Sequence, residues 1–154
     1  MKRFLIFAIT LFFILPTPAH ADYSVSLTSP SYRHLDGNFI ENFDTQLSKD
    51  LEPTGKLGSL IFNQNSYGGL WNIDPALIED VQDLATGAHK DVASAWLNQL
   101  KKVISGHRVT AIVYGNPSEY WIAKFFPHDH EYLLGASAAR LSELLGRSVL
   151  TPSQ

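Results

Sequence analysis

Cysteine is absent from the whole chain, so no disulfide contributes to the fold and packing alone must hold it. With no cysteine there is also no lipobox, and so no lipid anchor. A basic excess is missing too. Twelve Lys and Arg face fifteen Asp and Glu, a net charge of −3. That mildly acidic balance argues against nucleic acid and against anionic membranes as partners. No Gly-x-Gly-x-x-Gly stretch or phosphate-binding loop is present. Nor is there a Gly-x-Ser-x-Gly elbow, which leaves a serine hydrolase with little support. Beyond the N-terminus, no apolar run is long enough to cross a bilayer.

The N-terminus itself reads as an export signal. Lys2 and Arg3 precede an uncharged apolar stretch, Phe4 to Leu15. Ala19-His20-Ala21 follows as a small-x-small cleavage site. The apolar stretch is short for a membrane anchor. Residues 1–21 are therefore expected to be a cleaved signal peptide, with 22–154 as a single domain placed outside the cytoplasm, secreted or in the cell envelope. Loss of Lys2 and Arg3 leaves ten basic against fifteen acidic residues, a net charge of −5.

The body of the chain twice runs an apolar segment into Asx-Pro and then into a helical pattern. Leu70 to Ile73 leads to Asp74-Pro75, and Val109 to Gly115 leads to Asn116-Pro117. A strand feeding a capped helix, repeated, is how a parallel α/β sheet is written. Alternation over Tyr23 to Leu27 predicts an earlier strand, and Ser148 to Thr151 predicts a last one. The Val109 segment is almost wholly apolar, which predicts a strand buried on both faces. Short helices are expected near Phe43 to Leu51 and Lys56 to Asn63, and a turn at Asp36-Gly37. Longer helices follow Asp74, Asp91, Pro117 and Glu131, the last ending at Gly146. The result is a parallel sheet of about four strands with helices. A closed (β/α) barrel needs about 250 residues. The 133 residues after Ala21 are close to half of that, so an open sheet or part of a barrel is expected.

Several stretches resemble a known family. They are Leu27-Thr28-Ser29-Pro30, Gly55-Lys56-Leu57-Gly58-Ser59-Leu60, Trp71-Asn72-Ile73-Asp74-Pro75-Ala76-Leu77, Ala95-Trp96-Leu97 and Ala111 to Pro117. Together they look like the barrel domain of an uncharacterised family of exported, membrane-anchored actinobacterial proteins. That domain resembles the (β/α)7 barrels of glycoside hydrolases and polysaccharide deacetylases. The resemblance implies the first half of such a barrel. This chain departs from the pattern in having Asn116 where an acidic residue is expected after the Tyr-Gly strand. It has no Thr-Phe-Asp-Asp metal signature and no C-terminal membrane anchor. Val149-Leu150-Thr151-Pro152 resembles the start of the family's next strand.

Candidate chemistry falls into three groups. Asp74 and Glu119 are the best carboxylate pair. Neighbouring strands lie ~4.8 Å apart, so groups just past the strand ends could stand ~5–10 Å apart, as in glycosidases. Asp74 before Pro75 is equally a helix N-cap, and Asn116 with Glu119 resembles a capping box. His128 and His130 could hold a divalent metal such as zinc, although a catalytic zinc needs a third protein ligand. Asp129 between them could instead cap the next helix. No cofactor is otherwise expected. Tyr67, Trp71, Tyr114, Tyr120 and Trp121 could form a platform for a sugar ring, with Asn116 beside it, or could be packing aromatics.

The leading expectation is an exported, envelope-associated domain that resembles part of a carbohydrate-active barrel and is not catalytic alone. An active glycan hydrolase or deacetylase is one alternative. A module that pairs with a second protein chain through an exposed sheet edge is another.

Overall fold

The computed structural model describes residues 23–33, 37–63 and 69–151, apart from the side chains of Tyr23 and Glu119. The signal-peptide assignment, the Asp36 half of the predicted turn, and Tyr67 lie outside the described residues.

Three strands form one parallel sheet in sequence order: β1 (Tyr23–Leu27), β2 (Gly69–Ile73) and β3 (Arg108–Ala111). The expected parallel orientation of the Leu70 and Val109 segments is present, with Trp71 beside Val109 and Ile73 beside Ala111. Among the described residues the sheet has three strands, where about four were expected. The segment expected as the last strand makes a single parallel bridge, Thr110 to Leu150. It is held by Leu150 N–H donating to the Val109 carbonyl at 2.9 Å.

Among the described residues, six helices connect and cover the sheet: α1 (Phe43–Leu51), α2 (Ser59–Phe62), α3 (Pro75–Leu84), α4 (Lys90–Val103), α5 (Glu119–Phe125) and α6 (His130–Leu145). Sequence chemistry explains their ends. Pro75 supplies the preset φ of a first helical turn behind the Asp74 cap. Gly146 ends α6 with φ +65°, a conformation an L side chain resists. Gly58 permits another kind of contact, because a Cβ there would sit 1.8 Å from the Glu52 carbonyl oxygen.

The core lies between the sheet and one helical layer. Val25, Leu27, Trp71, Ile73, Val109 and Ala111 meet Leu77, Val81, Trp96, Leu100 and Leu141. The register puts Ser24, Leu70 and Arg108 in one row of the opposite face, and Ser26, Asn72 and Thr110 in the next. None of those six belongs to the hydrophobic core. The Val109 strand is buried on both faces as expected, with Val109 at 2% and Ala111 at 0% exposure on the core face and Thr110 at 3% on the other, but the second face is not apolar core. Its apolar run is longer than the strand: β3 ends at Ala111, and Val113 and Tyr114 leave the sheet.

Candidate functional site

The strand ends β2 and β3 converge on one carboxylate. Asp74 is fully buried, at 0% exposure. Its Oδ1 accepts the Ala76 N–H, closing the first turn of α3, and the Gly115 N–H, both at 2.9 Å. One oxygen thus ties the β2–α3 junction to the turn after β3. Oδ2 is buried without a hydrogen-bond partner among the described residues. Burial pushes the Asp74 carboxyl above its ordinary range, opposed by the two amide bonds and reinforced by the charges of Asp80 and Glu79.

Around this junction α3 and α6 contribute further polar groups. The Tyr114 N–H donates to Ser137 Oγ at 2.9 Å, and that hydroxyl donates to the Leu133 carbonyl at 2.7 Å. The Tyr114 hydroxyl donates to Glu79 Oε2. Arg140 Nε donates to Glu79 Oε1 at 2.5 Å, and its Nη1 reaches Glu143 at 3.1 Å. Burial, and then the bond to the Glu79 carboxylate, push the Tyr114 phenol up to about 12. Its hydroxyl therefore stays protonated at any physiological pH. Deeper in α3, the buried Asp80 is paired with Arg33, which also reaches Asp83 at 2.7 Å. Burial raises Asp80, against the bonds from Ser31 and Arg33.

A groove of about 650 Å³ opens beside this polar group, between the turn after β3, α5 and α6. Tyr114, Glu79 and Arg140 stand among its lining residues. The rest of the wall is apolar, chiefly Trp121, Ile122, Phe125, Phe126 and Leu133. The Trp121 and Phe125 rings stack, with centroids 5.4 Å apart and planes at 9°. Lys124 lies 5.3 Å from the Trp121 ring centroid. This volume falls in the range of small-molecule sites, and its place beyond the strand ends is where α/β sheets present ligands.

The candidates from sequence scatter. Tyr114 and Trp121 line the groove together. Trp71 instead points into the helix-covered core at 1% exposure, because its register places it on the same face as Ile73. Asn116 stands exposed in the turn with φ +45°, a left-handed conformation that asparagine tolerates. The capping box expected from Asn116 is replaced by Ser118 at the N-cap of α5, without a side-chain cap bond. Glu119 begins α5, and its side chain lies outside the described residues. His128 and His130 are both exposed at the start of α6. No cluster of three metal-ligating side chains is present among the described residues. Asp129 is the N-cap of α6 but makes no side-chain cap bond.

Sequence reading missed Glu79, Arg140, Phe125 and Phe126. Phe125-Phe126-Pro127 carried a usable signal, since two adjacent aromatics at a helix end cannot both face one core. Half-buried Glu79 and exposed Arg140 sit on different helices 61 residues apart, and no local pattern pairs them.

Compared with known proteins, the chain matches no family model, no curated protein and no solved structure. Among the described residues, no helix is long and apolar enough to cross a membrane.

Proposed function

We propose that this protein is an exported, envelope-associated α/β domain that binds a glycan-bearing ligand in the groove at the carboxyl ends of its strands, without turning it over. On this reading the domain is an arc of a carbohydrate-active (β/α) barrel. Three parallel strands in consecutive order, with an apolar core on one face only, support that view. A doubly wound sheet would carry helices and apolar side chains on both faces.

The single observation behind the binding reading is the groove wall. Stacked Trp121 and Phe125 offer flat apolar surface, and Tyr114, Glu79 and Arg140 offer hydroxyl, carboxylate and guanidinium groups at one end. That combination suits a ring with one apolar face and polar edges. The buried state of Asp74 supports a non-catalytic role. Both of its bonds go to backbone amides, and its side chain is closed to solvent. An acid or nucleophile must reach the scissile bond.

The test is a titration of the purified protein with oligosaccharides, followed by tryptophan fluorescence and by assays for reducing ends and released acetate. Binding without products, weakened in Trp121→Ala, is the expected result. Products that disappear in Asp74→Asn would replace this reading with a hydrolase or deacetylase. Export is tested separately by N-terminal sequencing of protein recovered outside the cytoplasm, which should begin at Asp22.

A further inference from the structure

The groove is polarised along its length. One end holds the Glu79–Arg140 pair and the Tyr114 hydroxyl. The remainder runs between Trp121, Phe125 and Leu133, with one charge nearby, the Lys124 ammonium 5.3 and 5.4 Å from the Trp121 and Phe125 ring centroids. A bare sugar would leave most of that wall in contact with water. An apolar chain or ring of a few hundred Å³ would cover it, and burial of apolar area is the main source of affinity in such pockets.

The polar end also carries a sign. Glu79 and Glu143 flank Arg140, and Asp80 and Asp83 flank Arg33 behind them, four carboxylates against two guanidiniums. An anionic head would meet a repulsive field there. A neutral hydroxylated head would not, and it could use groups already aligned. The Tyr114 oxygen donates its proton to Glu79 and keeps lone pairs for a ligand hydroxyl. Arg140 spends Nε and Nη1 on Glu79 and Glu143, and a guanidinium has further N–H donors to offer.

From this polarity we propose that the preferred ligand is an amphiphilic glycoside: a neutral sugar head at Glu79, Tyr114 and Arg140, with an apolar aglycone along Trp121 and Phe125. This rests on the binding reading above and names its ligand class.

The experiment uses octyl glucoside below its micelle concentration, methyl glucoside, octanoate and octyltrimethylammonium, each titrated calorimetrically into the purified protein. Octyl glucoside should bind about tenfold or more tightly than each of the others, since only it matches both ends. Trp121→Ala, Phe125→Ala and Glu79→Gln should each weaken it several-fold, with circular dichroism unchanged. Methyl glucoside binding as tightly as the octyl form would overturn the apolar-aglycone proposal while leaving the glycan reading intact. Octanoate or octyltrimethylammonium binding as tightly would overturn the neutral-head assignment. Octyl glucoside binding that is untouched by all three substitutions would place it elsewhere and overturn the proposal. Silence from every probe would remove both this proposal and the glycan reading.

Discussion

The three tryptophans divide the molecule into two regions. Trp71 and Trp96 are 1% and 0% exposed between the sheet and its helices, whereas Trp121 on α5 is 51% exposed. The body from β1 to α4 hides most of its large apolar groups, with Tyr32 and Ile40 as exposed exceptions. Over residues 120–132 the chain leaves Tyr120, Trp121, Phe125, Phe126 and Tyr132 exposed. Exposed aromatic surface of this extent is unusual for a lone domain, and on the proposed reading it belongs to the binding groove. The same residue type is thus buried in one region and exposed in the other, and on the proposed reading the first serves cohesion and the second recognition. Packing partners, not side-chain chemistry, separate the two roles.

The sharpest way to break that comparison is truncation on both sides. Trp96→Ala should cost about 3–5 kcal/mol in chemical denaturation, the usual range for emptying a core aromatic site. Trp121→Ala should cost under about 1 kcal/mol, as exposed positions do. Equal costs would mean that the flank is part of the core.

Asp74 comes next in size. Asp74→Ala removes the cap of α3 and the bond to the Gly115 turn, and should cost about 2–4 kcal/mol. Asp74→Asn keeps an acceptor for both amides and should stay within about 1 kcal/mol of wild type. A large loss in the asparagine variant would show that the charge itself, rather than the two bonds, holds the junction.

The same site sets a smaller, pH-dependent effect. Burial raises the folded-state pKa of Asp74, so the folded protein retains a proton that the unfolded chain has released. The stability linked to this proton is full below the ordinary carboxylate value and is lost as pH rises through the raised folded value. Wild type should therefore lose stability relative to Asp74→Asn as pH rises from about 4. An opposite slope in denaturation midpoints would contradict the burial argument. Least of all, Arg140→Ala should leave the denaturation midpoint unchanged. Arg140 is exposed and its ion pairs are screened by water.

Much of the body was legible in the residues. Asp74-Pro75 announced α3, Gly146 announced the end of α6, and the two strand-to-helix repeats announced parallel pairing. Each signal acts within a few residues of itself. The site was less legible. Trp71 and Tyr114 looked like equal members of one aromatic platform, yet the first lies in the core and the second in the groove. The apolar run from Val109 to Tyr114 looked like one buried strand. It is a four-residue strand followed by a segment that lines the groove, a distinction hydrophobicity alone does not make.

Sequence by itself determined where α3 starts, where α6 stops and that successive strands run the same way. Caps, prolines and left-handed glycines act on their own neighbours, and strand-to-helix repeats leave few connections open. Tertiary structure alone decided which face of β2 the helices cover, and with it the fate of Trp71. It also decided that one oxygen of Asp74 serves an amide 41 residues further along the chain, and that Glu79 meets Arg140. Those outcomes depend on surfaces brought together only when the layers pack, and no local periodicity encodes them.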